Sequence, residues 1–256
     1  MHSEYSDTFV RGLEWMWGAG FLSPGGAAEV GRLVASLPVA GARVLDVGCG
    51  LGGVDIVLVR EHGAAHVTGI DVEDSLVARG RERVRASHLD TRIELIAVEP
   101  GTMPFDDGAF DGVFSKDSLV HVADKNGIYA EMFRVLAPGG WLAVGDWLGA
   151  ERPPSARMRE WLEQVGLTFS LDTLAHTVEM IESAGFDVID AVDRNQWYAR
   201  EMSNELAALR GDSFRRLAEA IGEDAARKRA SSSAAKYAVV EGGELRPAHV
   251  RARKPA

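Results

Sequence analysis

The stretch that decides the fold is VLDVGCGLGG at residues 44–53. Its apolar beginning contains an acidic residue, Asp46, and glycines follow at positions 48, 50, 52 and 53 before a helical pattern begins. Glycine allows positive φ and lets the backbone approach a ligand closely, and the first turn of the next helix offers free N–H donors. The stretch therefore predicts a buried strand, a ligand-binding turn and a helix.

Apolar runs and helical patterns alternate along the chain beyond this stretch. Such alternation with short links is typical of a doubly wound parallel sheet, and strands that are apolar throughout indicate that helices cover both faces. We predict strands at 42–48, 65–72, 92–98, within 109–118 and at 141–147, with helices at 53–63, 73–88 and 126–140, the last ending at a Pro-Gly-Gly turn.

The flanking regions complete this sheet and cover it. Residues 3–18 and 27–37 predict two helices before the sheet, and 151–170 predicts a cap. Pro247 makes 244–254 an edge strand, because proline cannot donate a hydrogen bond to a neighbouring strand. The predicted fold class is α/β, a Rossmann-like seven-stranded, mostly parallel sheet with helices on both faces, an N-terminal helix and a small helical cap. We expect one domain over 1–256, comprising a helical lid (1–40), a core (41–150), a cap (151–185) and a C-terminal part that completes the sheet (186–256). Within the last two parts we predict a helix at 171–186, a strand at 187–193 and mostly helix over 195–238.

Composition and charge exclude several classes of protein. The chain has 28 Lys and Arg against 38 Asp and Glu among 256 residues, a formal net charge of −10, which disfavours nucleic acid and anionic membranes as partners. The single cysteine, Cys49, forms no internal disulfide, and the histidine spacing predicts no metal site. The beginning, MHSEYSDTF, has no signal-peptide pattern, so we expect a cytoplasmic protein; the oligomeric state stays open.

Two acidic residues around the glycines indicate the cofactor. Gly48, Gly50 and Gly53 also fit the dinucleotide spacing G-x-G-x-x-G, so spacing alone does not exclude NAD. Asp46, however, stands two residues before the glycines, where a carboxylate would repel a pyrophosphate and suit an ammonium group. Asp71 ends the second predicted strand, where it can accept both ribose hydroxyls. An ammonium and a ribose diol together predict S-adenosyl-L-methionine (SAM), with S-adenosyl-L-homocysteine as its product.

At these residues the chain resembles the class I SAM-dependent methyltransferases, over roughly residues 40–150. GAGFLSPGG (18–26), VLDVGCGLGG and SKDSLVHV (115–122) together resemble the phosphoethanolamine N-methyltransferases, and the sarcosine and dimethylglycine N-methyltransferases share the DSLVH-like stretch. The resemblance implies a catalytic dyad of Tyr5 and His121 over the SAM methyl group. The motif and the resemblance together imply cofactor contacts at Leu22, Ser23, Asp46, Gly48, Gly50, Gly52, Asp71, Val72, Glu99, Pro100 and Lys116.

The substrate half departs from the phosphoethanolamine enzymes. Where those enzymes bind phosphate with tyrosines and an arginine, this chain places Trp147, Trp161, Val165 and Leu167. A desolvated phosphate without donors is costly, so we expect phosphoethanolamine to be a poor substrate. The indole and apolar lining favours a more hydrophobic or a cationic acceptor.

The resulting hypothesis is methyl transfer from SAM to a small-molecule acceptor, with an amine nitrogen as the preferred nucleophile. His121 would be the general base, since its unperturbed pKa of about 6.5 allows it to accept a proton at neutral pH, and Tyr5 would orient it. Two alternatives remain open, which are oxygen methylation of a natural-product hydroxyl and a SAM-binding protein without transfer activity. The negative charge disfavours RNA or protein methylation.

Overall fold

A computed structural model describes residues 5–256 and contains a seven-stranded sheet with the strand order β3-β2-β1-β4-β5-β7-β6. β7 is antiparallel to both of its neighbours, and the other adjacent strands pair in parallel. The predicted α/β, Rossmann-like, mostly parallel sheet is therefore confirmed. The strands are β1 (Arg43–Val47), β2 (His66–Asp71), β3 (Ile93–Ala97), β4 (Phe110–Lys116), β5 (Leu136–Gly149), β6 (Asp187–Asp193) and β7 (Leu245–Arg253).

Helices cover both faces of the sheet, because its strands are apolar on both sides. Val44 and Leu45, adjacent residues of β1, are both fully buried and belong to different hydrophobic clusters, one against each face. The helices described are α1 (Asp7–Trp17), α2 (Gly26–Leu33), α3 (Gly53–Arg60), α4 (Asp74–Ala86), α5 (Lys125–Val135), α6 (Ala156–Val165), α7 (Leu174–Ser183), α8 (Asn195–Ala208), α9 (Gly211–Ile221) and α10 (Glu223–Glu241).

The prediction that the last strand lies at the sheet edge is wrong. β7 lies between β5 and β6, and β6 forms the edge. Pro247 is tolerated because its carbonyl accepts a hydrogen bond from Arg194 N, beyond the last residue of β6. The N–H and C=O of one strand residue point to the same side of the strand. The position where Pro247 lacks an N–H is therefore beyond the end of β6, so no strand hydrogen bond is lost there. The proline is thus at a local edge of an internal strand.

Two other boundaries differ from the predictions. The helix expected over 126–140 ends at Val135, and the Pro-Gly-Gly segment lies within the irregular start of β5, near a register shift against β4. The region 186–256 does more than complete the sheet, since α8 and α6 both pack on α10 and form a third hydrophobic cluster with it. The domain assignment over 1–256 remains a prediction. No helix within 5–256 has the length and apolar character to cross a membrane.

Candidate active site

The turn after β1 requires glycine for both its backbone conformation and its packing. Gly48 has a φ of 86°, and a Cβ there would lie 2.2 Å from the Ser118 Cβ. The N–H groups of Gly48 and Cys49 both donate to the Ile70 carbonyl, at 2.8 and 3.0 Å. Gly52, with a φ of 75°, is the N-cap of α3. The turn is therefore tied to β2 and directs the N-terminus of α3 toward the carboxyl ends of the strands.

Asp71 braces this turn from the end of β2. Its Oδ2 accepts a hydrogen bond from Gly50 N at 2.8 Å, and its Oδ1 accepts one from Glu73 N at 3.0 Å. Burial raises the pKa of Asp71, yet the residue remains half-buried and keeps further lone pairs for a ligand. Val72 beside it is 57% exposed, and Glu99 and Pro100 after β3 are exposed. A carboxylate, an apolar side chain and a second acid on one edge fit the ribose and adenine of SAM.

Asp46, in β1 just before the glycine turn, is a buried carboxyl group. Its side chain is 1% exposed, and the charge of Asp55 on α3 acts on it. Burial first, and then the Asp55 charge, raise the pKa of Asp46. Its expected contact with the ammonium group of SAM stays a prediction.

The segment between α1 and α2 packs directly on the glycine turn. A Cβ on Gly53 would lie 2.4 Å from the Gly20 carbonyl oxygen, so the two backbones are in close contact. A Cβ on Gly50 would lie 3.1 Å from Leu22 Cδ1. Gly50 and Gly53 thus leave the space in which this lid segment packs, and Leu22 lies over the turn.

Lys116 fastens the lid at the end of β4. Its Nζ donates to Ser23 Oγ at 2.8 Å and to the Pro24 carbonyl at 3.0 Å, and it forms an ion pair with Asp117. These three partners use all three donors of an ammonium group. This side chain therefore holds the lid, with Ser23 as one of its partners, and the expected cofactor contact at Lys116 stays a prediction.

A cavity of about 420 Å³ lies between the lid, the strand ends and the helical cap, a size that suits a small molecule. The six residues predicted for catalysis or for the substrate pocket all line it, although they are far apart in sequence. These are Tyr5, His121, Trp147, Trp161, Val165 and Leu167, joined by the predicted cofactor contacts Leu22 and Ser23. The remaining predicted cofactor residues lie outside this lining.

His121 ends a short 3-10 helix (Leu119–His121) after β4. Its Nδ1 lies 2.8 Å from the Thr168 carbonyl oxygen, and its ring lies 5.2 Å from the Phe169 ring. A carbonyl only accepts hydrogen bonds, so this contact assigns the proton to Nδ1 and leaves the Nε2 lone pair as a proton acceptor. The Tyr5 ring packs 6.0 Å from Phe9 of α1, on the lid side of the same cavity.

The sequence reasoning missed the charged wall of the cavity. Lys228, Arg229 and Lys236 of α10 line it, and so does Asp117, the one carboxylate in the lining over 5–256. The Lys236 Nζ lies 5.2 Å from the Trp17 ring centroid, and burial lowers its pKa to about 8. Arg229 and Lys236 are seven residues apart, about two turns of α10, but no local sequence pattern indicates that this face of the helix meets the site. The cavity is therefore not the uniformly apolar one expected.

A family model described as a methyltransferase domain matches residues 44–140, which hold the glycine turn, Asp71 and the strands around them. The chain carries a class I SAM-dependent methyltransferase domain. Phosphoethanolamine N-methyltransferase 1 of Arabidopsis thaliana is 28% identical over 222 residues, which cover 86% of this chain and 44% of that relative. 24-methylenesterol C-methyltransferase 2 of Oryza sativa subsp. japonica is 32% identical over 209 residues, which cover 74% of this chain and 57% of that relative.

The fold of the methyltransferase domain extends over the whole chain in one solved relative. Haemonchus contortus phosphoethanolamine N-methyltransferase 2 in complex with SAM has a TM-score of 0.90 at 24% identity, covering 100% of this chain and 59% of that chain. The chain thus spans less than two thirds of each of these three relatives. Their names indicate different acceptors, so the comparisons do not support the expected exclusion of phosphoethanolamine.

Proposed function

We propose that the chain transfers a methyl group from SAM to the amine nitrogen of a small acceptor that also carries an anionic group. The observation that carries this proposal is the distribution of charge around the cavity. Asp117 is at the strand ends, and three cationic side chains belong to α10. An acceptor with an ammonium at one end and an anion at the other complements both walls.

Asp117 is the partner of the acceptor nitrogen in this arrangement. It follows β4 directly, and its N–H donates to the Gly145 carbonyl at 2.7 Å. Its φ of 56° is unusual for a residue other than glycine, and such backbone strain is common at functional sites. Lys116 occupies one side of its carboxylate, and the carboxylate also lines the cavity, where it can accept a hydrogen bond from an ammonium.

Lys236 and Arg229 are the partners of the anionic group. Lys236 faces the rings of Trp17, Trp147 and Tyr198, with no carboxylate hydrogen-bonded to its Nζ in the described chain. Arg229 lies over the Trp17 ring at 5.6 Å, and burial lowers its pKa. The buried carboxylate of Glu205 is the anion whose charge acts on both cations. Two buried cations facing one carboxylate leave room for a second anion, which an acceptor phosphate or carboxylate would supply.

In this proposal His121 accepts the proton of the acceptor nitrogen, and Tyr5 closes the cavity over the methyl group. SAM supplies an electrophilic methyl group when it is bound. The acceptor nitrogen must first lose a proton, and the Nε2 lone pair of His121 is available to take it. A nitrogen–carbon bond then forms as the carbon–sulfur bond breaks. The aromatic cavity wall excludes water and aligns the acceptor, which is the main requirement of such a displacement.

A panel of acceptors tests the proposal by formation of S-adenosylhomocysteine. Phosphoethanolamine and sarcosine combine an ammonium with an anion, ethanolamine lacks the anion, and phenol represents a neutral hydroxyl. We expect turnover of at least one of the first two, with ethanolamine and phenol slower by about tenfold or more, as expected for a lost charged hydrogen bond. Turnover of phenol alone would support oxygen methylation instead. No turnover of any acceptor, with SAM bound, would support a binding protein.

A further inference from the structure

Lys125 is a buried lysine that the proposed reaction does not use. It is the first residue of α5, and its side chain is 3% exposed. The N-terminus of a helix carries a partial positive charge, and a buried ammonium group is costly unless it is hydrogen-bonded and paired. Neither the position nor the burial of this lysine therefore stabilises α5 by itself, and its side-chain contacts show what offsets that cost.

The Lys125 ammonium group joins two segments that border the active-site cavity. Its Nζ donates to the Leu119 and Val122 carbonyls at 2.9 and 3.2 Å, at the start of the short 3-10 helix and just after its end. Its third bond goes to the Ser170 carbonyl at 2.7 Å, in the segment between α6 and α7. The Asp172 carboxylate, 3.6 Å away, supplies the opposite charge. All three donors of the ammonium group thus hold backbone carbonyls.

The segment between α6 and α7 has no helix or strand that would fix its position. The Ser170 N–H donates to the Val120 carbonyl at 2.7 Å, and the Thr168 carbonyl lies 2.8 Å from His121 Nδ1. The carbonyl that fixes the proton of the His121 ring therefore belongs to the segment that Lys125 binds. It can fix that proton only while the segment stays against the 3-10 helix.

We propose that Lys125 is a positioning residue for His121, because its ammonium group holds the Thr168 carbonyl in place against the 3-10 helix. The inference rests on the proposed function, in which His121 is the general base. A neutral imidazole carries its proton on either nitrogen, and only the form protonated on Nδ1 leaves Nε2 free to accept a proton. Release of the Thr168 carbonyl would let the ring occupy both forms and would lower the fraction of enzyme that is ready to react.

Two variants and a matched control test the inference. Lys125→Met removes the ammonium group and keeps a side chain of similar length, and Lys125→Gln retains an amide donor without the charge. The control is Lys254→Met, because the Lys254 Nζ also holds two backbone carbonyls, those of Phe133 and Leu136, each at 2.7 Å. None of these three control residues lines the cavity.

Heteronuclear NMR of the histidine rings at about pH 8, where an ordinary imidazole is neutral, reports which ring nitrogen carries the proton. The spectrum of His121→Ala assigns the His121 signals. The other measurements are kcat and KM for whichever panel acceptor turns over best, SAM affinity, and thermal unfolding. Thermal unfolding reports a loss of stability, and the tautomer and the separate changes in kcat and KM report positioning.

We expect the wild type to show one His121 tautomer, with the proton on Nδ1, and Lys125→Met to show both. Lys125→Met should lower kcat by about tenfold to a hundredfold, a part of the roughly 10²–10⁴ that a general base contributes, with KM and SAM affinity changed by less than about threefold. Lys125→Gln should lie between Lys125→Met and the wild type. Lys254→Met should match the wild type in tautomer and kcat, even where it unfolds at a lower temperature.

A single Nδ1-protonated tautomer in Lys125→Met, or a kcat as high as that of Lys254→Met, would overturn the inference. A loss confined to KM or SAM affinity would also overturn it, because the lysine would then only support the cavity wall. If Lys125→Met does not fold, Lys125→Gln decides by the same criteria. If no acceptor turns over, the proposed function fails, and the tautomer spectra alone then decide whether Lys125 positions His121.

Discussion

Asp71 shows how one carboxylate can order a turn and still serve a ligand. Its two oxygens already accept from Gly50 N and Glu73 N, which leaves two of about four acceptor positions on the carboxylate. Replacement by alanine removes both the brace and the ribose partner. The effect should therefore appear in cofactor affinity before it appears in global stability.

We predict that Asp71→Ala weakens SAM binding by about 1.5–3 kcal/mol, the range for hydrogen bonds to charged groups. Isothermal titration calorimetry measures the change. The matched control is Asp90→Ala, an exposed aspartate between α4 and β3. If Asp71→Ala bound SAM as tightly as the control does, the assignment of the ribose site to β2 would be wrong.

His121 belongs to the proton-transfer step and should contribute little to cofactor affinity. We predict that His121→Ala slows turnover by about 10²–10⁴ with SAM affinity nearly unchanged, and that Tyr5→Phe has a smaller effect. Single-turnover kinetics separates transfer from binding. His176→Ala, an exposed histidine on α7, is the control. A loss below about tenfold in His121→Ala would leave alignment as its only role.

The cavity-lining residues show what a sequence can and cannot reveal about a site. Tyr5, His121 and the four pocket residues could be placed from motif resemblance alone, and all of them line the cavity. The burial of Asp46 beside Asp55 could not be predicted, since a carboxylate near a strand end can face a ligand or pack below the turn. Lys236 was missed because its ligand-facing side depends on how α10 packs against α6 and α8.

The lid segment is held by a few identifiable contacts. Gly20 packs on Gly53, and Lys116 binds Ser23 and the Pro24 carbonyl. Removing one partner from a buried ion pair is strongly destabilising, by about 3–5 kcal/mol, since the other charge is left uncompensated. The side chains of Lys116 and Asp117 are 4% and 8% exposed, so this penalty applies to them.

We predict that Lys116→Met accelerates amide hydrogen exchange in residues 18–26 and weakens SAM binding, since the lid is released from β4. Hydrogen exchange followed by mass spectrometry gives the local readout. Arg43→Met is the control, because it breaks an exposed ion pair with Asp111 that is worth about 0–1 kcal/mol. Equal exchange in the lid of both variants would show that Lys116 does not hold it.

The elements predicted best are those whose pattern is local. β1 and β2 were predicted within one residue of their ends, because buried apolar runs bounded by glycine or charge define them. The position of β7 depends on long-range pairing with β5, which no local pattern encodes. Its proline was interpreted correctly as needing an edge, but that edge is the end of β6 and not the edge of the sheet.

Across the molecule, buried carboxyl groups determine how stability responds to pH. Burial raises the pKa of Asp55 to about 7 and that of Asp146 to about 8. A carboxyl whose pKa is higher in the folded state binds more protons there, so stability is fully present below the unfolded pKa of about 3.9 and falls as pH rises toward the folded value. The pKa values of Glu29 and Asp111 are lowered, so these two groups change stability only at pH values below this range.

We therefore predict that the protein is more stable at pH 5 than at pH 8. Asp55→Asn replaces one member of the Asp46–Asp55 pair. It should reduce the difference in the free energy of unfolding between the two pH values by roughly 1–3 kcal/mol. Chemical denaturation at both pH values gives the free energy of unfolding. Asp90→Asn, on the surface, should leave the difference unchanged. A protein equally stable at both pH values would contradict the assignment.

The fold as a whole could be predicted because one glycine turn and its two flanking strands define a parallel sheet. The charge of the cavity could not, since it arises where the lid, the strand ends and α10 meet. The net charge of −10 even points the other way, because the cations of α10 are a local exception to an acidic chain. Acceptor preference is therefore a property of the assembled molecule.

The central claim is that the acceptor lies between Asp117 and Lys236, and the kcat/KM ratio for phosphoethanolamine over ethanolamine tests it most directly. The two amines differ only in the anion that Lys236 is proposed to bind. The account predicts a wild-type ratio of at least about tenfold, falling by about tenfold or more in Lys236→Met, as expected when a charged hydrogen bond is lost. The ratio should persist in Asp117→Asn, which weakens both amines together. A wild-type ratio near one, or a ratio that Lys236→Met leaves unchanged, would contradict it.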